Sequence, residues 1–186
     1  MAAPFYRAIG RAMSRWQHVE AAMFLVAHAI MGTEFKYTST VFFLINSADL
    51  KLRLVNGFCQ LYFSEAEFDT LWKPIAKNIR AAIKFRNGVA HFEPNFVTDQ
   101  SYLDPDEPPI VLSPHHLDLS KRGSSDAAST NRMNEAAEEF LRIANTLIEL
   151  VAHHIPPEQI KMADLPAGLA SMLTARQRRA QMRPNE

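Results

Sequence analysis

The sequence predicts an all-α helical bundle, and three observations predict it. Apolar residues recur at alternating spacings of three and four along three long stretches, the period of a helix buried on one face. Capping residues open several of the helical stretches, and Gly or Pro closes them. Extended texture is confined to one run, Ile110-Val111-Leu112.

The first helix opens at Pro4, whose missing N–H would be unpaired in a first turn anyway. Phe5, Ile9, Ala12, Trp16, Val19, Met23, Val26 and Ile30 then form one continuous stripe, which Gly32 ends. Thr38-Ser39-Thr40 is placed to cap a short helix through Ile45, and Ser47 to cap the next. That helix carries Leu50, Leu54, Phe58, Leu61 and Tyr62, with Gly57 as its weak point. Ser64-Glu65-Ala66-Glu67 is a capping box, and behind it Phe68, Leu71, Trp72, Ile75, Ile79, Ala82 and Ile83 form another stripe. Pro74 must kink or interrupt this helix, because its ring removes a helical hydrogen bond. From Phe92 to about Thr130 five prolines sit among Asp, Ser and Asn, which reads as an insertion-like loop with room for a short hairpin. Its length is unusual for a compact domain and marks it as functional or mobile. The last core helix runs from about Thr130 to His154 on Met133, Ala137, Phe140, Ala144, Leu147 and Val151, and Pro156-Pro157 stops it. A short helix near Glu158 to Ala163 and a frayed basic tail follow.

With 186 residues, 47% of them hydrophobic, the chain can build one core without staples. The expected organisation is a single helical domain over residues 1–163, a loop insertion at 92–130, and a basic, flexible tail at 164–186. The one cysteine, Cys59, excludes an internal disulfide framework and a Cys-rich metal knuckle, and fits a reducing compartment. The stretch Met1 to Arg7 lacks the charged-then-apolar order of a signal peptide. The apolar runs at 21–27 and 41–45 are too short to span a bilayer, so the expected location is cytoplasmic, with no membrane partner. Net charge is zero but segregated: residues 1–92 carry +5, 93–172 carry −8, and 173–186 carry +3. Such a division means either basic and acidic parts facing each other, in one fold or across a dimer, or a basic surface kept for a polyanion.

The chemically informative stretch is Arg86-Asn87-Gly88-Val89-Ala90-His91. Lys73, Lys77, Arg80, Lys84, Asn87 and His91 share one side of the helix by their spacing, and no acid occurs between Asp69 and Glu93. This face is either simply solvated or an anion-binding face. Arg86 instead continues the apolar series Ile75, Ile79, Ala82, where a guanidinium needs a carboxylate or phosphate to receive it. On a regular helix Arg86 and His91 lie about 140° apart and cannot share one substrate. A left-handed Gly88 ending the helix would let His91 swing back, and a two-fold dimer would be a second way to join the groups.

Arg-Asn-x-Val-Ala-His at the end of an amphipathic helix resembles the Arg-polar-x(3–5)-His motif of the HEPN superfamily of helical domains. The plan is similar too, with a long first helix bearing Trp16 and Glu20, further helices, the motif, and a long last helix; it covers residues 4–154, the motif itself only 86–91. The resemblance implies metal-independent RNA cleavage by a homodimer of the toxin or defence kind, with no cofactor, single-stranded RNA as substrate, and an antitoxin or regulator protein as a further partner. It makes His91 the general acid/base, Arg86 the group that neutralises the transition-state phosphorane, and Asn87 an orienting residue for Arg86 or the phosphate. Lys73, Lys77, Arg80 and Lys84 would then track the RNA backbone. The alternative is a catalytically silent HEPN-like domain that binds nucleotides, RNA or protein. A third reading is an unrelated bundle in which Arg86 is buried on an acid such as Glu20 and His91 caps the helix.

Other features carry less. The pairs His115-His116 and His153-His154 diverge on any regular element, so no metal site is expected. Cys59 has apolar neighbours and no adjacent His, which makes it core rather than nucleophile. Arg7, Arg11 and Arg15 form a second basic stripe, read as solvated. The pair Arg11 and His18 lies inside the first helix and lacks the polar residue after Arg.

Overall fold

The computed structural model describes residues 3–96, 110–114 and 128–181. They are mostly helical, with one small antiparallel sheet. Helix α1 (Ala3–Met31) follows the predicted stripe from end to end. Its first half buries Phe5, Ala8, Ala12, Trp16 and Val19 along one face, whereas residues 22–29 are buried all round. Gly32 ends it at φ +59, a left-handed conformation that side chains rarely adopt, with its N–H on the His28 carbonyl.

Helix α2 (Phe35–Leu44) begins before the expected Thr38-Ser39-Thr40 cap, which instead lies inside it. The hydroxyls are engaged elsewhere. Ser39 and Thr40 donate back to the Lys36 carbonyl, and Thr38 Oγ1 lies 2.9 Å from Thr33 Oγ1 and 3.3 Å from His28 Nδ1. Ser47 does cap α3 (Ala48–Tyr62), accepting from the Leu50 N–H, and the helix runs through Gly57. The capping box also forms. The Glu67 carboxylate accepts from the Ser64 N–H and hydroxyl, bonds that hold it below the usual carboxylate range. After α4 (Glu65–Glu67), the interruption demanded by Pro74 takes the form of a π-helical turn, Phe68–Trp72. Helix α5 (Lys73–His91) continues from there.

The chain divides into two compact units whose boundaries fall inside α1, α5 and α6 (Thr130–His154). The first comprises Met1–His18 and Ala81–Leu141. Strand β1 (Phe92–Phe96) follows directly on α5 and pairs antiparallel with β2 (Ile110–Pro114), Phe92 opposite Pro114 and Phe96 opposite Ile110. Alternation along β2 buries Ile110 and Leu112, which join Phe5, Ala8, Ala128 and Met133 in one cluster. Leu112 and Ala128 exchange both backbone hydrogen bonds. Trp16 and Phe85 each meet Phe140 edge-on. The short hairpin for which the 92–130 stretch left room thus forms, with its first strand at 92–96; Pro94 obscures that strand in the sequence but is tolerated on an outer strand. The remainder of the predicted loop, 97–109 and 115–127, lies outside the described residues.

The second unit comprises Val19–Arg80 and Arg142–Glu186. Within it the buried Lys51 ammonium meets Glu20 Oε1 at 3.2 Å and the rings of Phe42 and Phe43 at 5.3 and 5.4 Å. The Trp72 indole N–H donates to Asn56 Oδ1. Two 3₁₀ turns, Pro157–Gln159 and Met162–Asp164, replace the expected short helix. The tail is not frayed over its described part: α7 (Ala167–Gln181) buries Leu173, and Arg176 donates to the carbonyl and side chain of Asn145 and pairs with Glu149. Among the described residues no helix is long and apolar enough to cross a membrane.

Candidate functional site

The motif occupies the last turns of α5, which stay helical through His91. Gly32 is the only positive-φ residue among those described, so Gly88 remains right-handed and the predicted swing of His91 does not occur. The nearest neighbour that a β-carbon at Gly88 would meet is the Phe92 ring, at an ordinary 3.5 Å. With the helix intact, Arg86 and His91 project about 140° apart. One copy of the chain does not bring them to a common point.

Arg86 lies at the centre of the arc that buries Ile75, Ile79, Ala82 and Ile83, as its spacing predicts. Its side chain is half-buried. Nε is buried with no hydrogen-bond partner, while the outer Nη1 donates to Asn87 Oδ1 at 3.1 Å, at the surface. No carboxylate among the described residues pairs with it. The acid expected to do so, Glu20, is taken by Lys51. Asn87 stands between the two diverging groups, about 100° from Arg86 and 40° from His91 around the axis. It therefore draws the outer end of the guanidinium toward the polar face. His91 is exposed on that face.

The cationic stripe is present, with one change. Lys73, Lys77, Arg80 and Lys84 are all exposed, but Lys73 is held by Asp69 one turn back. Lys77, Arg80 and Lys84 have no such partner among the described residues. Sequence reasoning missed Arg132 of α6, whose guanidinium stacks over the Phe85 ring at 5.1 Å and pairs with Glu135. A contact between residues 47 apart leaves no local signal. It steadies the side chain next to Arg86.

The other candidates settle into the second unit. Cys59 is fully buried, and burial pushes its thiol far above the usual range, leaving it inert as a nucleophile. His153 pairs with Glu149 at 3.2 Å. Among the described residues no group of three or more His, Cys, Asp or Glu is placed to hold a metal ion. Two shallow cavities, of about 380 and 390 Å³, are lined by residues such as Phe63, Phe68 and Lys73 or His153, His154 and Gln177, and neither includes the motif. The motif lies at a helix end, with Arg86 half-buried and Asn87 and His91 exposed. Comparison with protein-family models, curated proteins and solved structures finds no match.

Proposed function

We propose that this chain is a HEPN-like, metal-independent RNA endonuclease of the toxin or defence kind that acts as a homodimer. The observation that carries the reading is Arg86. A guanidinium with a buried, unpartnered Nε and no carboxylate beside it among the described residues is costly, and an incoming phosphate supplies the missing anion. The 140° divergence of Arg86 and His91 then requires two copies, so that Arg86 of one chain and His91 of the other meet on one phosphodiester. In that arrangement His91 exchanges protons, and the ribose 2′-OH attacks the adjacent phosphorus and expels the 5′-oxygen, leaving a 2′,3′-cyclic phosphate and a 5′-hydroxyl. Arg86, oriented by Asn87, stabilises the charge on the pentacoordinate phosphorus. Lys77, Arg80 and Lys84 hold the RNA backbone.

The same divergence favours a second reading, a catalytically silent RNA-binding or protein-interaction domain, if no dimer brings the two groups together. A mixing experiment separates them. Arg86→Ala and His91→Ala should each abolish cleavage of single-stranded RNA, chelator should have no effect, and deoxyribose at the cut position should block it. Mixed one to one, the two dead variants should recover roughly a quarter of wild-type activity, since half the dimers carry one intact composite site. Cleavage by wild type with no recovery on mixing would sink the shared site. RNA binding without cleavage at any pH would leave the silent reading.

A further inference from the structure

The first half of α1 carries a surface that the motif does not use. Arg7, Arg11, Arg15 and His18 lie within an arc of about 80° and extend along the axis for about 16 Å. Arg7, Arg11 and His18 are exposed and Arg15 half-exposed, and none has an ionic partner among the described residues. A solvated helix face is ordinarily laced with opposite charges three or four residues apart. Here the first acid in the chain is Glu20, so no acid stands three or four residues from any of the four groups in this file. Several cations elsewhere in the chain are paired: Lys36 with Glu34, Lys51 with Glu20, Arg53 with Asp49, Lys73 with Asp69. Repulsion along this file costs helix stability, and a polyanion would relieve it.

Beside the file runs a second exposed strip, made of Tyr6, Gly10, Ser14 and Gln17. Tyr6 is 54% exposed and braced edge-on against Phe5. Nothing lies within 4 Å of where a side chain on Gly10 would begin, which leaves an open shelf next to the tyrosine ring. A row of cations flanked by an exposed aromatic is the arrangement that holds a single strand, phosphates on one side and a stacked base on the other. A bilayer is the poorer fit. The apolar face of this half-helix, Phe5, Ala8, Ala12 and Trp16, is already buried and has nothing to insert.

We infer that the exposed face of α1, with Arg7, Arg11 and Arg15 on phosphates and Tyr6 under a base, is a second single-stranded RNA contact surface. The inference rests on the RNA-directed reading of the chain and names a substrate contact that the motif does not provide. Its test uses the full chain and a fluorescent 2′-O-methylated single strand, which binds but cannot be cut, titrated over a range of salt. The triple variant Arg7→Gln, Arg11→Gln, Arg15→Gln keeps residues of good helix propensity, and circular dichroism verifies its fold. Its log–log salt slope should be shallower by about 2, three contacts at about 0.7 each. Tyr6→Ala should weaken binding roughly 5- to 150-fold with the slope unchanged, since a stacked ring releases no counterion. A folded triple variant with the wild-type slope, where Lys77→Ala with Lys84→Ala lowers it, would overturn the α1 surface and leave the RNA reading standing. Wild type that fails to bind the strand overturns both. So does arginine-dependent binding to phosphatidylserine vesicles in place of RNA.

Discussion

Lys51 and Arg86 are long cations set among apolar neighbours, and the chain treats them differently. Lys51 is 7% exposed and has Glu20 and two phenyl rings around its ammonium. Arg86 has, among the described residues, only the amide oxygen of Asn87. The first is a completed interaction, the second an open valence, and that contrast is why Arg86 and not Lys51 is assigned to a ligand. A stability measurement checks the completed half. Glu20→Gln strands a buried ammonium and should cost about 2 kcal/mol, less than the roughly 3–5 kcal/mol of a fully buried pair because the Glu20 side chain is one-quarter exposed. Lys51→Met removes the charge while keeping the stem's volume and should cost less than half as much. Urea denaturation giving the reverse order would mean that packing of the lysine stem, not charge, holds this site.

At the scale of elements, α5 decides what the motif can do. Had Gly88 ended the helix, one chain could have gathered Arg86 and His91. Because Gly88 stays helical, it cannot. Glycine inside a helix is a liability of roughly 0.5–1 kcal/mol relative to alanine, and the β-carbon of an alanine here would touch Phe92 at an ordinary 3.5 Å. Gly88→Ala should therefore raise the melting temperature by about 1–4 °C. A fall instead would mean that Gly88 leaves the right-handed helix, which would reopen a site within one chain. The stop and start signals show how legible such details were. Gly32, Ser47 and the Ser64–Glu67 box act as their residue types predict. Thr38-Ser39-Thr40 does not, because a hydroxyl inside a helix can turn back to its own carbonyls or, as Thr38 does, to a side chain ten residues away.

At the scale of the whole molecule, the proposed chemistry needs two copies. Sedimentation at micromolar concentration should give a dimer, and the dimer should persist in His91→Ala, since an exposed imidazole at a helix end adds little to an interface. Monomer alone would remove the composite site and leave an RNA-binding domain. The charge division seen in the sequence also acquires a location. Much of the excess positive charge of residues 1–92 lies on two helical faces, the first half of α1 and the stripe of α5, whose cations beyond Lys73 lack carboxylate partners among the described residues. The pairing seen elsewhere in the chain makes those two faces the places to look for a polyanion.

The sequence by itself determined the helical class, the extent of α1 and α6, the two N-caps at Ser47 and Ser64, and the break before Pro74. Each is a local matter, set by a period of 3.6 residues, a hydroxyl three residues from an N–H, or a missing donor. It also placed Arg86 on the apolar arc and the lysines opposite, which periodicity alone fixes. Only the tertiary structure decided that Glu20 belongs to Lys51, that residues 92–96 pair as a strand despite Pro94, that Arg176 docks α7 on Asn145, and that α5 continues through Gly88. Those outcomes turn on which residues meet across long separations, or on which of two conformations open to a glycine its surroundings favour. No window of sequence contains either.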